Sequence, residues 1–349
     1  VRVVEGPAPV TPAMRDLLTE EELADGWRLG CCLSLEESGV KPVCVEVRQW
    51  QTVILADNLP LAFEARSGFG AAVDLGTTTV VVQCVNLATG EIAGSRSALN
   101  QQARHGADVM SRVQHALRHP GVLTACVREQ IGAMLAEAAD GRPVEEVLIV
   151  GNTVMHHLFC AEAMEPLASA PFRSQSLDAR SFAGADLGWT GSPETRVTFL
   201  PCIGGFVGSD LLVGLLSSGI AEAPGREAMM DLGTNGELAV VAGARIFCAS
   251  TAAGPAFEGG RISCGMRAGS GAIHRVDRQG RGAVCQVIGG GPAQGICGSG
   301  LVDAIACALD AGHLASNGRL RTPQAGIRLS NSLFLTQRDV RELQLAKGA

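Results

Sequence analysis

The turns Val73-Asp74-Leu75-Gly76-Thr77-Thr78-Thr79 and Met230-Asp231-Leu232-Gly233-Thr234-Asn235-Gly236-Glu237 repeat one aspartate-leucine-glycine-threonine unit, and apolar strand-like runs flank each copy. Glycine at a hairpin tip lets backbone N–H groups approach a phosphate with no Cβ in the way, and threonine hydroxyls add donors. A carboxylate at the strand end suits Mg²⁺, which prefers oxygen ligands and keeps much of its water. One such turn is ordinary structural punctuation. Two copies imply a two-lobed ATP-binding protein. Asp74 and Asp231 are then the magnesium-positioning candidates, and Gly76, Thr77, Thr78, Thr79, Gly233, Thr234, Asn235 and Gly236 would surround the β- and γ-phosphates.

Other polar positions carry two readings each. Glu237 either orients an attacking water or is a hairpin-pairing carboxylate. Asn152 and Thr153 follow an apolar strand and either sense phosphate or cap the next helix. Gly298-Ser299-Gly300 opens a helix, so its free amides either bind nucleotide or form a plain N-cap. Gly254 and Glu258 belong to a glycine-rich stretch whose Phe257, Glu258, Met266 and Arg267 face either the adenosine or a partner protein. The adjacent His156-His157 cannot easily chelate one ion, because neighbouring residues on a helix point about 100° apart.

The elements that must position these residues follow from periodicity. Residues 1–48 read as a small unit with strands at Val1–Val4, Leu29–Leu33 and Val43–Val47 and helices at Pro12–Leu18 and Glu20–Asp25; 49–69 read as a linker. From 70 onward a meander (Ala71–Leu75, Val80–Val85, Glu91–Ser97) leads to helices at Ala107–Arg118 and Leu123–Ala139 and a buried strand Val147–Val150. That order is the ribonuclease-H-like lobe, expected over about 70–200. A loop-rich stretch, 162–196, precedes Val197–Leu200 and a helix Phe206–Gly219. A second lobe, about 201–349, restarts the scheme at Ala228–Val241, adds strands at Arg245–Cys248 and Gly282–Ile288, and carries a helix Ser299–Ala311.

The chain has 349 residues, of which 46% are hydrophobic, enough for two packed lobes. A net charge of −7 without a basic stripe argues against nucleic acid as a partner. No run matches a membrane span or a secretory leader, so the default location is the cytoplasm. The 12 cysteines are scattered, with no C-x-x-C, which argues against a disulfide framework or a zinc site. The start at Val1 and the stop inside a helix at Glu342–Ala349 suggest missing sequence at both ends.

Together the two turns resemble the phosphate loops of the superfamily of acetate and sugar kinases, heat-shock chaperones and actin. Four further stretches, 150–159, 251–260, 264–268 and 295–304, resemble the ATP-dependent reductive activators of corrinoid proteins. The resemblance covers about residues 68–349. It implies an α/β, two-lobed actin-like ATPase preceded by part of a ferredoxin-like α+β unit. It further implies ATP and Mg²⁺ as cofactors, a corrinoid protein of a methyltransferase system as partner, a low-potential electron donor and a homodimer. The implied activity returns Co(II) to Co(I), with nucleotide binding shifting an uphill electron transfer and hydrolysis resetting the cycle. In that family Gly26-Trp27-Arg28-Leu29-Gly30-Cys31 would carry the last ligand of a two-iron two-sulfur cluster, so Cys31 is the implied iron–sulfur ligand of an intact parent; the other three would lie upstream of Val1.

Rival readings are a small-molecule kinase of the same fold, for which Asp108 and Asp210 could be nominated, the related activator of 2-hydroxyacyl-CoA dehydratases, and an ATP-dependent scaffold without redox chemistry.

Overall fold

The computed structural model describes residues 2–5, 9–28, 44–46, 63–174, 176–222, 225–279, 282–322 and 326–349. The chain divides into two compact units, Val1–Gln51 and Thr52–Ala349. In the first, β1 (Arg2–Glu5) pairs antiparallel with β2 (Cys44–Glu46). Between them lie α1 (Pro12–Leu17), which has proline in its first turn, and α2 (Glu20–Ala24), which starts with a Thr19/Glu22 capping box. The strand expected at 29–33, Cys31 itself and most of the expected 49–69 linker lie outside the described residues.

The second unit opens with the meander β3 (Phe69–Leu75), β4 (Thr79–Asn86) and β5 (Ile92–Leu99). Helices α3 (Val109–Arg118) and α4 (Val122–Ala139) follow, then β6 (Val144–Gly151) and α5 (Thr153–Cys160). The stretch expected to be loop contains β7 (Arg180–Ala183), which pairs antiparallel with β8 (Arg196–Phe199) at the sheet edge. The six strands run in the order β5-β4-β3-β6-β8-β7, with β6 parallel to β3 and β8 parallel to β6. Parallel pairing needs a crossover, and α3 and α4 provide it between β3 and β6.

Residues one helical turn apart on α4 (Leu123, Val127, Ile131, Leu135, Ala138) form the buried stripe that covers Val80, Val82 and Cys84 of β4. Val73, Leu75, Ile149 and Phe199 complete this core, where truncating one large side chain to alanine would cost roughly 2–5 kcal/mol.

A second meander, β9 (Arg226–Leu232), β10 (Gly236–Ala242) and β11 (Arg245–Thr251), repeats the arrangement of β3 to β5. Helix α6 (Ser209–Ser217) packs Leu211 and Leu215 against Ala239 and Val241 of this sheet. The copies differ on the opposite face. Val73 and Leu75 are buried, whereas their counterparts Met230 and Leu232 are 60% and 43% exposed. A third sheet joins β12 (Ala272–Gln279) to antiparallel β13 (Gly282–Val287) and parallel β14 (Gly295–Ile296). On β12 lies α7 (Gly298–Asp310); a two-residue pair, β15 (Ile327–Arg328) with β16 (Phe334–Leu335), precedes α8 (Gln337–Gly348). Among the described residues no helix is long and apolar enough to cross a membrane.

Candidate nucleotide site

The β3–β4 turn is tight enough that a Cβ on Gly76 would stand 2.7 Å from the Thr79 carbonyl oxygen, so only glycine fits. The loop is pinned from behind. Asn100 donates its side-chain amide to the Gly76 carbonyl (2.9 Å) and its backbone N–H to the Thr78 carbonyl (2.9 Å). Arg112 donates to the Thr77 carbonyl (2.6 Å), and Asn152 donates its amide to the Thr77 hydroxyl (2.9 Å).

The second turn faces the first. The Thr78 and Thr234 hydroxyls are 2.8 Å apart, and Glu258 accepts from both the backbone N–H (3.0 Å) and the hydroxyl (2.5 Å) of Thr234. Between the turns lies a cavity of about 380 Å³ lined by Asp74, Gly76–Thr79, Val150, Asn152, Asp210, Val213, Asp231, Gly233–Asn235, Glu237 and Glu258. A cleft of this size suits a small charged ligand.

Five of those lining residues are carboxylates, and their crowding shows in their acidity. Asp74 is pushed up to about 7, first by the desolvating walls of the cleft and then by Asp210 and Asp231. Glu237, almost fully buried, is pushed up to about 8 by burial and the same two aspartates, against the pull of the Ser250 hydroxyl, which donates to it at 3.3 Å. Asp210 rises to about 6 through burial and Asp231, while its hydrogen bond from the Leu211 N–H works the other way. Burial also raises Asp231.

Such a cluster fits Mg²⁺. Among the described residues no group of three or more His, Cys, Asp or Glu is arranged to hold a metal alone, but Mg²⁺ needs only one or two carboxylates when phosphate and water complete its shell. A crowd of like charges with depressed acidity is what a cation relieves. Cys31, the implied iron–sulfur ligand, lies outside the described residues.

Asp74, Gly76, Thr77, Thr78, Thr79, Asn152, Gly233, Thr234, Asn235, Asp231, Glu237 and Glu258 all line the one cavity. The remaining candidates sit elsewhere. Thr153 is buried and donates to the Gly204 carbonyl (2.6 Å), Gly236 is a ladder residue between Leu232 and Thr251, and Gly254 donates its N–H to the Thr234 carbonyl (2.9 Å) behind the second turn. Gly298 packs so closely on the Phe257 carbonyl that a Cβ would collide, Gly300 does the same on Ile273, and the Ser299 hydroxyl donates to the His274 carbonyl (2.8 Å). Those residues dock α7 instead of lining the cavity. Asn152 lines the cavity and also caps α5, accepting from the Met155 N–H (3.1 Å). His156 and His157 are buried and bond to separate carbonyls, those of Asp178 (3.2 Å) and Ala163 (2.7 Å).

Sequence reasoning gave Asp210 weight only under the kinase rival. It reaches the cavity because Gly208, just before α6, packs on the carbonyl of Gly151 with no room for a Cβ, and Ser209 exchanges hydrogen bonds with Gly151 (3.2 and 3.3 Å). The Gly204, Gly205, Gly208 cluster was the available signal of a close approach. Arg112 and Asn100 gave no such signal.

Comparison with known proteins places this geometry. Residues 69–223 match the family described as the RACo middle region, and residues 227–349 match the C-terminal domain of RACo, the ASKHA domain. The corrinoid activation enzyme RamQ of Eubacterium limosum is 34% identical over 84% of this chain and 55% of its own length. A reductase of the Co(II) methylated amine-specific corrinoid protein from Methanosarcina barkeri is 29% identical over 80% of this chain and 58% of its own. The chain thus spans a little over half the length of these curated relatives. A solved reductive activator for a corrinoid, iron-sulfur protein superposes with a TM-score of 0.71 at 24% identity, covering 100% of this chain and 74% of that one, which establishes the shared two-lobed, actin-like fold. With both family matches lying end to end across 69–349, the chain belongs to the family of reductive activators of corrinoid proteins.

Proposed function

We propose that this chain supplies the nucleotide-driven part of a reductive activation in which ATP binding and hydrolysis promote reduction of Co(II) to Co(I) in a corrinoid protein of a methyl-transfer system. The observation that carries the proposal is the meeting of two aspartate-leucine-glycine-threonine turns across one cavity, with their threonine hydroxyls 2.8 Å apart. The corrinoid partner rests on the names of the curated relatives.

The N–H groups of Thr77 and Thr78 would donate to phosphate oxygens, since neither donates to another group among the described residues. Asp74 and Asp231 would hold Mg²⁺, which supplies charge neutralisation on the phosphates when bound. Asp210, raised to about 6, would be ionised at neutral pH and would be the better acceptor for a proton from attacking water, whereas Glu237, raised to about 8, would be protonated there. Nucleotide that prefers one arrangement of the lobes can shift an unfavourable reduction only by its differential affinity for the two arrangements. Electrons come from a low-potential donor, in a cytoplasmic setting, and no path through an iron–sulfur cluster is part of the proposal.

The test mixes the chain anaerobically with a Co(II) corrinoid protein, Mg·ATP and a low-potential chemical reductant, and follows cobalt reduction by visible absorbance. ATP-dependent reduction that is lost in Asp74→Asn and Asp231→Asn is expected. Phosphoryl transfer to a small molecule with no change at cobalt would sink the reading.

A further inference from the structure

Arg112 is fully buried, yet none of its hydrogen bonds goes to a carboxylate. Its guanidinium donates to the carbonyls of Thr77 (2.6 Å) and Gly106 (3.0 Å), to the Gln102 side-chain oxygen (3.3 Å) and to the Met155 sulfur (3.6 Å). Asp108, the acid that acts on it from a distance, is occupied as the N-cap of α3. Burying a guanidinium among neutral acceptors is costly, and a well-packed apolar side chain would be cheaper for stability alone.

Its surroundings give the charge a use. The cavity is lined by five carboxylates and by no arginine or lysine. Among the described residues the single lysine, Lys347, does not line the cleft. A polyphosphate entering there meets fixed negative charge on its walls, and the positive charge bonded to the first loop sits one peptide behind it.

The same bond sets the donors. A trans peptide points its C=O and N–H in opposite directions, so a Thr77 carbonyl held toward Arg112 turns the Thr78 N–H the other way. The Gly76 carbonyl, held by Asn100, does the same for the Thr77 N–H. Both N–H groups lack a partner among the described residues.

We propose that Arg112 is a positioning residue for phosphate binding: from behind the first turn it fixes the Thr77–Thr78 peptide as an anion donor and supplies the buried positive charge that the acidic cleft lacks. The inference rests on the nucleotide reading of the cleft and deepens it.

Binding of Mg·ATP and of Mg·tripolyphosphate to the whole chain, measured by calorimetry at several pH values, tests this. In Arg112→Gln both affinities should fall about 10- to 100-fold, the range of a lost charge-assisted bond. Arg112→Lys keeps the charge near neutral pH, but a buried lysine loses its proton far more readily than arginine. Its affinity relative to wild type should therefore start within about 3-fold and decline as pH rises, which a purely structural strut would not produce. That arm holds even if the glutamine variant fails to fold, which thermal melting reports. Glutamine-variant affinities within twofold of wild type, or a lysine-to-wild-type ratio that is flat with pH, overturn the inference. Wild-type protein that binds neither probe would instead remove the nucleotide reading itself.

Discussion

Two buried titratable side chains pull the stability of this protein in opposite directions with pH. Glu237 has an acidity raised from its ordinary value of 4.5 to about 8. The folded state thus holds its proton more tightly than the unfolded one, and stability falls as pH climbs from about 4.5 through 8. Glu237→Gln removes that loss. Its melting temperature should exceed wild type at pH 8, by the equivalent of about 1–3 kcal/mol, and the gap should close toward pH 4.5. A variant that melts lower than wild type at both pH values would show that burial beside Asp210 and Asp231 does not strain the Glu237 carboxylate. His156 works the other way. Burial and the neighbouring His157 lower its value from 6.5 to about 4, its Nδ1 has no partner among the described residues, and its ring packs edge-on against Phe199 at 4.9 Å. Its contribution is present above 6.5 and is lost as pH falls through about 4. His156→Gln should flatten the acid limb of a melting-temperature profile at a baseline cost of about 1 kcal/mol for the altered packing and bond to Asp178; an unchanged acid limb would assign that limb to other groups.

At the scale of elements, α6 is the piece that carries Asp210 into the cleft. Its N-terminus is seated by the Gly208–Gly151 contact and the Ser209 hydrogen bonds, and its apolar side is committed to the second meander through Leu211 and Leu215. A Cβ at position 208 must push the helix off β6. Gly208→Ala should cost about 1–3 kcal/mol of stability and reduce ATP hydrolysis more than ATP affinity, because it moves Asp210 and leaves the turns in place. Equal losses in binding and turnover would put Asp210 outside the chemistry. Much at this scale was readable in advance, since meander strands, α4 and α7 follow from apolar periodicity and caps. Five strands were not: the two-residue β14, β15 and β16, and the longer β7 and β12. β7 is an edge strand whose Arg180-Ser181-Phe182-Ala183 shows no buried alternation, and β12 follows a glycine-rich stretch and alternates only partly. Both owe their conformation to the partner strand, which local sequence does not report.

For the whole molecule, the duplicated meanders form one site only because both turns point at the same cavity. Mg·ATP should therefore slow amide hydrogen exchange in 74–79 and in 231–237 together; protection confined to one segment would reduce the site to a single lobe. The two copies are unequal in other respects. In the first, the turn's carbonyls are tied to Asn100 and Arg112 and the Thr77 and Thr78 N–H groups have no partner among the described residues, whereas in the second Glu258 takes the Thr234 N–H. On the proposed nucleotide reading, the first turn would be the preorganised half, and a phosphate would have to displace Glu258 from the second.

By itself, the sequence determined the two turns, the order of elements around them, and the glycines and threonines that suit a phosphate, because turn chemistry and periodicity are properties of neighbouring residues. The tertiary structure decided which polar groups share the cavity. Asp210 reads locally as an acid in the first turn of a helix, Arg112 as one more arginine on an amphipathic helix, and Gly298-Ser299-Gly300 as either a nucleotide-binding helix start or a plain N-cap. Packing brings the first into the cleft, buries the second beneath the first loop and spends the third on seating α7 against Phe257, since burial and proximity are set by contacts between residues far apart in the chain.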